Sequence, residues 1–124
     1  MPYELTWEPE GVMRRYHGDV TVHERRRSLE AICGDRRFDD LRYAITDYLA
    51  VGHYEASEDA TMEIAALHVA PLVTNPRLVI AAVAVRDDVV AHIRQLMALG
   101  WLRAPYRLFD RLDEARAWVS DPLR

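Results

Sequence analysis

The chain has no lysine. All 16 of its basic residues are arginine, set against 20 acidic ones, for a formal net charge of −4. The arginine bias reads as that of a GC-rich genome. The longest basic run is Arg25-Arg26-Arg27, too little concentrated charge to grip a phosphate backbone, so nucleic acid is not an expected partner. A single cysteine, Cys33, excludes an internal disulfide and fits a reducing compartment. The five glycines are scattered at turn-like positions, so no glycine-rich loop cradles a phosphate, and no cofactor is implied. The histidines (His17, His23, His53, His68 and His92) never fall two or four residues apart, which leaves no metal-binding spacing. No apolar run reaches the roughly 20 residues of a membrane-spanning helix. The opening MPYELTWEPE places acids where a secretory signal needs a basic and then an apolar stretch. A cytoplasmic protein without integral membrane association is expected.

What the chain does have is apolar mass. Half of its 124 residues are hydrophobic and the charged ones are interspersed, the composition of one globular domain over residues 1–124 with a real core. From Leu78 to Val85 the apolar run is unbroken and rich in β-branched residues (Val79, Ile80, Val83, Val85). A strand wetted on one side alternates, whereas a strand covered on both faces does not. Arg77–Val85 therefore reads as an interior parallel strand, opened by Asn75-Pro76 and stopped by Arg86-Asp87-Asp88.

The remaining elements fall around it. Tyr3–Glu8 alternates and pairs as a hairpin with Val12–His17 across Pro9-Glu10-Gly11, with Gly18-Asp19 as its end. Thr21 with Glu24 forms a capping-box pattern for a helix that buries Val22, Leu29, Ile32 and Cys33 and stops at Gly34. Arg25, Arg26 and Arg27 read as its solvated side. A strand follows over Leu41–Tyr48 or a little beyond, then a loop at Gly52–Ala56. Ser57 is an N-cap, with Glu58 and Asp59 suiting the helix dipole. That helix points Met62, Ala65, Ala66, Val69 and Ala70 inward, and Pro71 is expected to kink or end it. Asp87 or Asp88 caps a third helix with the stripe Val89 or Val90, Ile93, Leu96 and Met97, ending at Gly100. Tyr106–Phe109 is a last strand. Leu112–Val119 is a last helix burying Leu112, Ala115, Trp118 and Val119, and residues 120–124 form a frayed tail. The order β-β-α-β-α-β-α-β-α requires a five-stranded, mostly parallel sheet with one antiparallel N-terminal edge strand.

Laid out this way, the chain resembles the SpoIIAA-like family of small bacterial proteins, relatives of the STAS domain of anti-sigma-factor antagonists. The resemblance rests on the closed apolar strand VIAAVAVRDD (79–88), the helix and short strand after it, and the final L-D-E-A-x-x-W helix at Leu112–Trp118. The opening hairpin and the helix after Thr21 add to it. The resemblance implies an open sheet with strands in sequential order, wound as a βα superhelix. It also implies a regulatory role through protein contact, and in such regulators a phosphorylatable serine opens the helix after the third strand. The matching position is Ser57, with Asp47 at the preceding strand end. The regulators' Asp-Ser-Ser/Thr-Gly tetrapeptide is absent, and Glu58 and Asp59 would meet a phosphate with like charge.

Three functional readings follow. The favoured one is a non-enzymatic interaction or regulatory module, homodimeric, in which Ser57 and Asp47 are the candidate phospho-switch and His53, Tyr54, Arg86 and Trp101 the candidate ligand or partner surface. Its further basis is the number of aromatic rings (Trp7, Tyr16, Tyr43, Tyr48, Tyr54, Trp101, Tyr106), more than a small core needs, which suggests an open apolar sheet face. The second is a carrier of a small hydrophobic ligand. The third is a hydrolase using Asp47, His53 and Ser57, for which no Gly-x-Ser-x-Gly turn is present to expose a nucleophile. Each serine and acid also has a plain reading as a helix cap.

Overall fold

The apolar run forms β4 (Val79–Val83), all five residues of which are buried. In the computed structural model, which describes residues 2–123, β4 lies parallel between β3 (Tyr43–Tyr54) and β5 (Tyr106–Phe109). β2 (Gly11–Val20) pairs parallel with β3, and β1 (Tyr3–Trp7) is the antiparallel edge. The strand order is β1-β2-β3-β4-β5. Between successive parallel strands run α1 (Val22–Cys33), α2 (Glu58–Thr74) and α3 (Asp87–Ala98), and α4 (Leu112–Ser120) follows β5. This is the mixed α/β sheet that the alternation of elements requires.

The period of two along each strand divides the core. Val12, Tyr16, Tyr48, Ile80 and Ala82 point toward α1, α2 and α3, where they meet Ile32, Leu72, Val89 and Ile93. Met13, Ile45, Val79, Ala81 and Val83 point the other way, onto Ala115 and Val119 of α4. Successive right-handed crossovers advancing in one direction place their helices on one face, so α4 alone covers the opposite one.

Several details differ from the sequence reading. β2 runs through Gly18-Asp19 to Val20, and β3 through the expected Gly52–Ala56 loop to Tyr54. The two pair with each other (Gly18↔Val51, Val20↔Tyr54) beyond the point where β4 stops opposite Asp47. Register shifts after Arg15 and Gly18 permit this, and Gly18 takes φ +64°, a conformation open to glycine at little cost. A 3-10 turn at Arg36–Asp40, buried through Phe38, precedes Leu41. Pro71 neither ends nor shortens α2, which continues to Thr74. The buried Leu72 anchors the extra turn. Asn75 then donates to the carbonyls of Phe38 and Leu41, both at 2.8 Å.

The inward face of α2 is Ala60, Thr61, Ile64, Ala65, His68 and Leu72, whereas Met62, Ala66, Val69 and Ala70 are exposed. α2 is apolar all round, so periodicity had no face to select. Arg86, not Asp87 or Asp88, is the N-cap of α3, and it makes no side-chain cap. Met97 is exposed rather than part of the buried stripe. Thr21 does cap α1, accepting from Glu24 N at 3.1 Å. Arg25, expected on the solvated face, is only 3% exposed. Of the expected tail, Ser120 closes α4, residues 121–123 are exposed beyond it, and Arg124 lies outside the described residues.

Candidate functional site

The carboxyl ends of parallel strands are where open α/β sheets present their loops. Here β3 delivers His53, Tyr54 and Glu55 to the start of α2. The Ser57 side chain accepts from Ala60 N at 3.0 Å, and its own carbonyl accepts from Thr61 N. Glu55 reaches back to cap α1, its Oε1 accepting from Val22 N at 2.9 Å. Arg86, from the end of β4, donates to the Gly52 carbonyl and to Asp88 at 2.8 Å, tying the two loops together. The Asp88 carboxyl is held below its usual range chiefly by that arginine bond. Between α3 and α4 the strand ends open into a shallow charged groove of about 660 Å³ that includes Asp87, Arg94, Arg107 and Asp110.

Asp47 does not join this group. Because β3 continues to Tyr54, Asp47 sits in mid-strand, roughly 20 Å from the strand end at about 3.3 Å per residue. It is buried on the α4 side, bonded to Arg15 Nε at 3.3 Å and to Leu49 N at 2.8 Å. The sequence placed Asp47 at the end of its strand, and that position is corrected. Neither an Asp47–Ser57 pair nor an Asp47–His53–Ser57 cluster is assembled. Among the described residues no histidine bonds to Ser57, and no group of three or more His, Cys, Asp or Glu gathers to hold a metal. Burial pushes the Cys33 thiol up to about 11, so it is not a thiolate near neutral pH.

Tyr54 is not a surface residue. It is 4% exposed and stands in a file of rings beneath the helices. Tyr16 and Tyr48 are 5.3 Å apart between centroids, Tyr48 and Tyr54 6.0 Å, Tyr54 and His92 5.4 Å. Tyr16, Tyr48, Tyr54 and Tyr106 therefore line the covered face of the sheet, whereas Tyr43 packs on the α4 side and Trp101 is exposed beyond α3.

This ring file surrounds a buried polar network that the sequence reading missed. Arg25 of α1 donates from Nη1 to Tyr54 Oη (2.8 Å) and to His92 Nε2 (2.7 Å), and from Nη2 to the Glu55 carbonyl (2.8 Å). A guanidinium can only donate, so His92 Nε2 accepts and its proton sits on Nδ1, which donates to Thr61 Oγ1 at 2.9 Å. The Thr61 hydroxyl is then free to donate to the Ser57 carbonyl at 3.0 Å. Burial first, and the Arg25 charge second, push His92 down to about 3, so it is neutral at pH 7. Arg14 of β2 gives its guanidinium to Thr46 (3.0 and 3.2 Å) and Ser28 (2.9 Å). Both arginines border an internal chamber with room for the centre of a water over only about 20 Å³. A second chamber beside Arg14, about 30 Å³, is apolar. Neither holds a ligand of ordinary drug size.

On the outside, α2 carries Met62, Val69 and Val73 at 42, 45 and 74% exposure. It is flanked by a groove of about 450 Å³ along α3 and one of about 320 Å³ along α1. Trp101, after α3, is also exposed. No helix among the described residues is long and apolar enough to cross a membrane.

The class defined by this geometry is an open βα superhelix with strands in sequential order and three of its four helices on one face. Among solved structures, it shares the SpoIIAA-like, STAS-related fold. The anti-sigma factor antagonist SpoIIAA in its unphosphorylated form is 12% identical, with TM-score 0.58 over 93% of this chain and 94% of that one. An anti-sigma factor antagonist from Mycobacterium paratuberculosis is 15% identical, with TM-score 0.59 over 96% and 93%. An uncharacterised protein with a SpoIIAA-like fold from Shewanella loihica PV-4 is 10% identical, with TM-score 0.57 over 94% and 91%. The likeness is one of fold. No family model and no curated protein matches the sequence.

Proposed function

We propose that this chain is a non-enzymatic regulatory module that works by protein contact through α2. The observation that carries the reading is the outer ridge of that helix. Met62, Ala66, Val69 and Val73 recur at helical spacing on one exposed stripe, between two grooves, on a helix already buried along its other face. A surface helix normally turns polar residues outward, and an apolar stripe left in water marks a place where another chain lies. Two of the structures it resembles in fold are anti-sigma factor antagonists, which supports a role in regulation by binding. Residues 1–124 act here as one domain in a cytoplasmic setting, and the partner is a second copy of the chain or another protein. Ser57, exposed at the amino end of the same helix, is the residue through which phosphorylation would alter that surface. Its α2 amide partners favour added negative charge, while Glu58 and Asp59 oppose it. Arg86, His53 and Trp101 remain candidates for the rim of contact.

The test is the triple variant Met62→Glu, Val69→Glu, Val73→Glu. The wild-type protein, purified under native conditions, is expected to sediment as a dimer or with a stoichiometric protein partner. The variant is expected to be a bare monomer with an unchanged urea midpoint. A wild type that is monomeric and partner-free, or a variant that keeps the same assembly, overturns the reading.

A further inference from the structure

Two arginines end inside this protein without a counter-charge. Arg25 is 3% exposed. Arg14 is half-buried, with its guanidinium among Thr46, Ser28 and the Tyr16 ring. Among the described residues neither lies within ion-pair distance of a carboxylate, and every partner they have is neutral: hydroxyls, a carbonyl and the His92 nitrogen. The Arg25 Nε–H is buried and has no partner among the described residues. Taking a guanidinium out of water without an opposite charge is costly, and proteins ordinarily meet that cost with a carboxylate.

Both side chains border the same 20 Å³ chamber, and so do Tyr48 and Tyr106, whose hydroxyls make no hydrogen bond to protein among the described residues. The chamber is thus rich in donors: Arg14 and two phenols, with the Arg25 side chain in its wall. Its acceptors, the two phenol oxygens among them, are all neutral. His68 supplies one, since its Nδ1 donates to the Ile64 carbonyl and leaves Nε2 bare. A water molecule there could give its protons to His68 Nε2 or to a phenol oxygen, but it would leave both charges unanswered. A species that only accepts, and carries negative charge, suits the lining better.

We propose that this chamber is a binding site for a single small monovalent anion of halide size. Room for the centre of about one water, by the measure in which one water needs roughly 10–15 Å³, admits an ion of that size and excludes sulfate, phosphate and organic acids of any length. The ion sits between β2, β3, β5 and α1, and through Arg25 and His92 it bears on α2 and α3 as well. Its exchange requires the helices to lift from the sheet, so it is slow.

The experiment uses the whole chain, dialysed free of halide into sodium gluconate, an anion too large for the chamber. Chloride, and separately bromide, then replaces gluconate at constant ionic strength. The urea midpoint of the wild type is expected to rise and saturate, as it does when a ligand binds only the folded state. Tyr48→Phe with Tyr106→Phe removes two donors and keeps the packing. That variant is expected to need at least tenfold more halide for half the effect, with a wild-type circular dichroism spectrum in gluconate. Crystals grown in bromide should show an anomalous peak inside the chamber lined by Arg14, Arg25, Tyr48 and Tyr106. An equal halide response in wild type and double variant overturns the proposal. So does a response that never saturates, or a bromide map with only water in the chamber and adventitious ions on the surface. None of these outcomes bears on the α2 ridge, whose test is independent.

Discussion

His92 illustrates how much a single residue is made to carry in this fold. It accepts from a permanent cation on one side and donates to Thr61 on the other, so it has no room for a second proton. His68 is likewise pushed down by burial, to about 4, against the opposing pull of its bond to the Ile64 carbonyl. In the unfolded chain both titrate near 6.5. Above that pH neither state binds the extra protons, and the stability is whole. As the pH falls from about 6.5 toward 4, the unfolded chain takes up two protons that the folded one refuses. Stability should then drop by up to about 1.4 kcal/mol per pH unit for each histidine. The depressed carboxyls Glu8 and Asp88 add their losses only below their own unfolded range, near pH 4. Urea midpoints measured from pH 7.5 to 4.5 should begin to fall near pH 6.5, and a flat profile down to pH 5 would contradict this account. The same geometry makes Thr61 sensitive. Thr61→Val leaves the His92 Nδ1–H buried and unpaired, at a cost of about 1–3 kcal/mol, whereas Thr61→Ser keeps the bond and should cost less. Equal losses in the two variants would show that the hydroxyl is not the partner.

At the scale of elements, what was legible followed from how strongly each segment carried a period. β1 alternates, β4 is apolar throughout, and the strand at Tyr106–Phe109 is bounded by turns, so all three were readable within a residue or two. The far halves of β2 and β3 were not, because Gly18-Asp19 and Gly52-His53 have turn chemistry, and it is their pairing with each other that makes them strands. α2 was readable as a helix but not as a face. Its start is marked by Ser57, whose Oγ holds Ala60 N. Ser57→Ala should cost about 1 kcal/mol of stability, while Ser57→Asp, an equally good cap, should cost little. Thermal unfolding of the two variants checks this, and a large loss with aspartate would mean that the surrounding acids outweigh the cap. The end of α2 is set from a distance. Asn75, 1% exposed, satisfies two carbonyls of the 38–41 turn and so fixes the helix past a proline that by itself favours stopping. Asn75→Ala removes both bonds and leaves the Leu41 carbonyl unpaired, since that of Phe38 still accepts from Leu41 N, and should cost about 1–3 kcal/mol in urea denaturation. A loss below 1 kcal/mol would show that water replaces the amide.

At the scale of the molecule, the sheet has a mostly apolar side under α4, with Asp47 its one buried charge among the described residues, and a mixed side under three helices, where arginines, histidines and phenols share the core with Val and Ile. The spacing did contain that second fact. Arg25 falls with Val22, Leu29 and Ile32 on one helical stripe, and Arg14 alternates in step with Val12 and Tyr16. Charge alone argued Arg25 outward, and the period was the better guide. Asp47 was misplaced for a different reason, since where a parallel strand ends depends on its neighbour's length. The mixed core has a consequence at high pH. Burial pushes the Tyr48 phenol up to about 12, and pushes those of Tyr54 and Tyr106 up further. Burial, helped by Glu8, takes Tyr43 to about 12. In the unfolded chain all four release their protons near pH 10. Below that pH both states hold them and stability is unaffected. Above it only the unfolded chain ionises, so stability falls with each further unit until the fold is lost. Absorbance of phenolate at 295 nm, followed alongside circular dichroism, should therefore show these four of the six tyrosines ionising together with unfolding rather than ahead of it. If nearly all six ionised reversibly while the circular dichroism stayed native, water would have to reach the chamber beneath α1–α3 freely. A sealed, donor-lined interior, and the slow exchange of anything held there, would then be excluded.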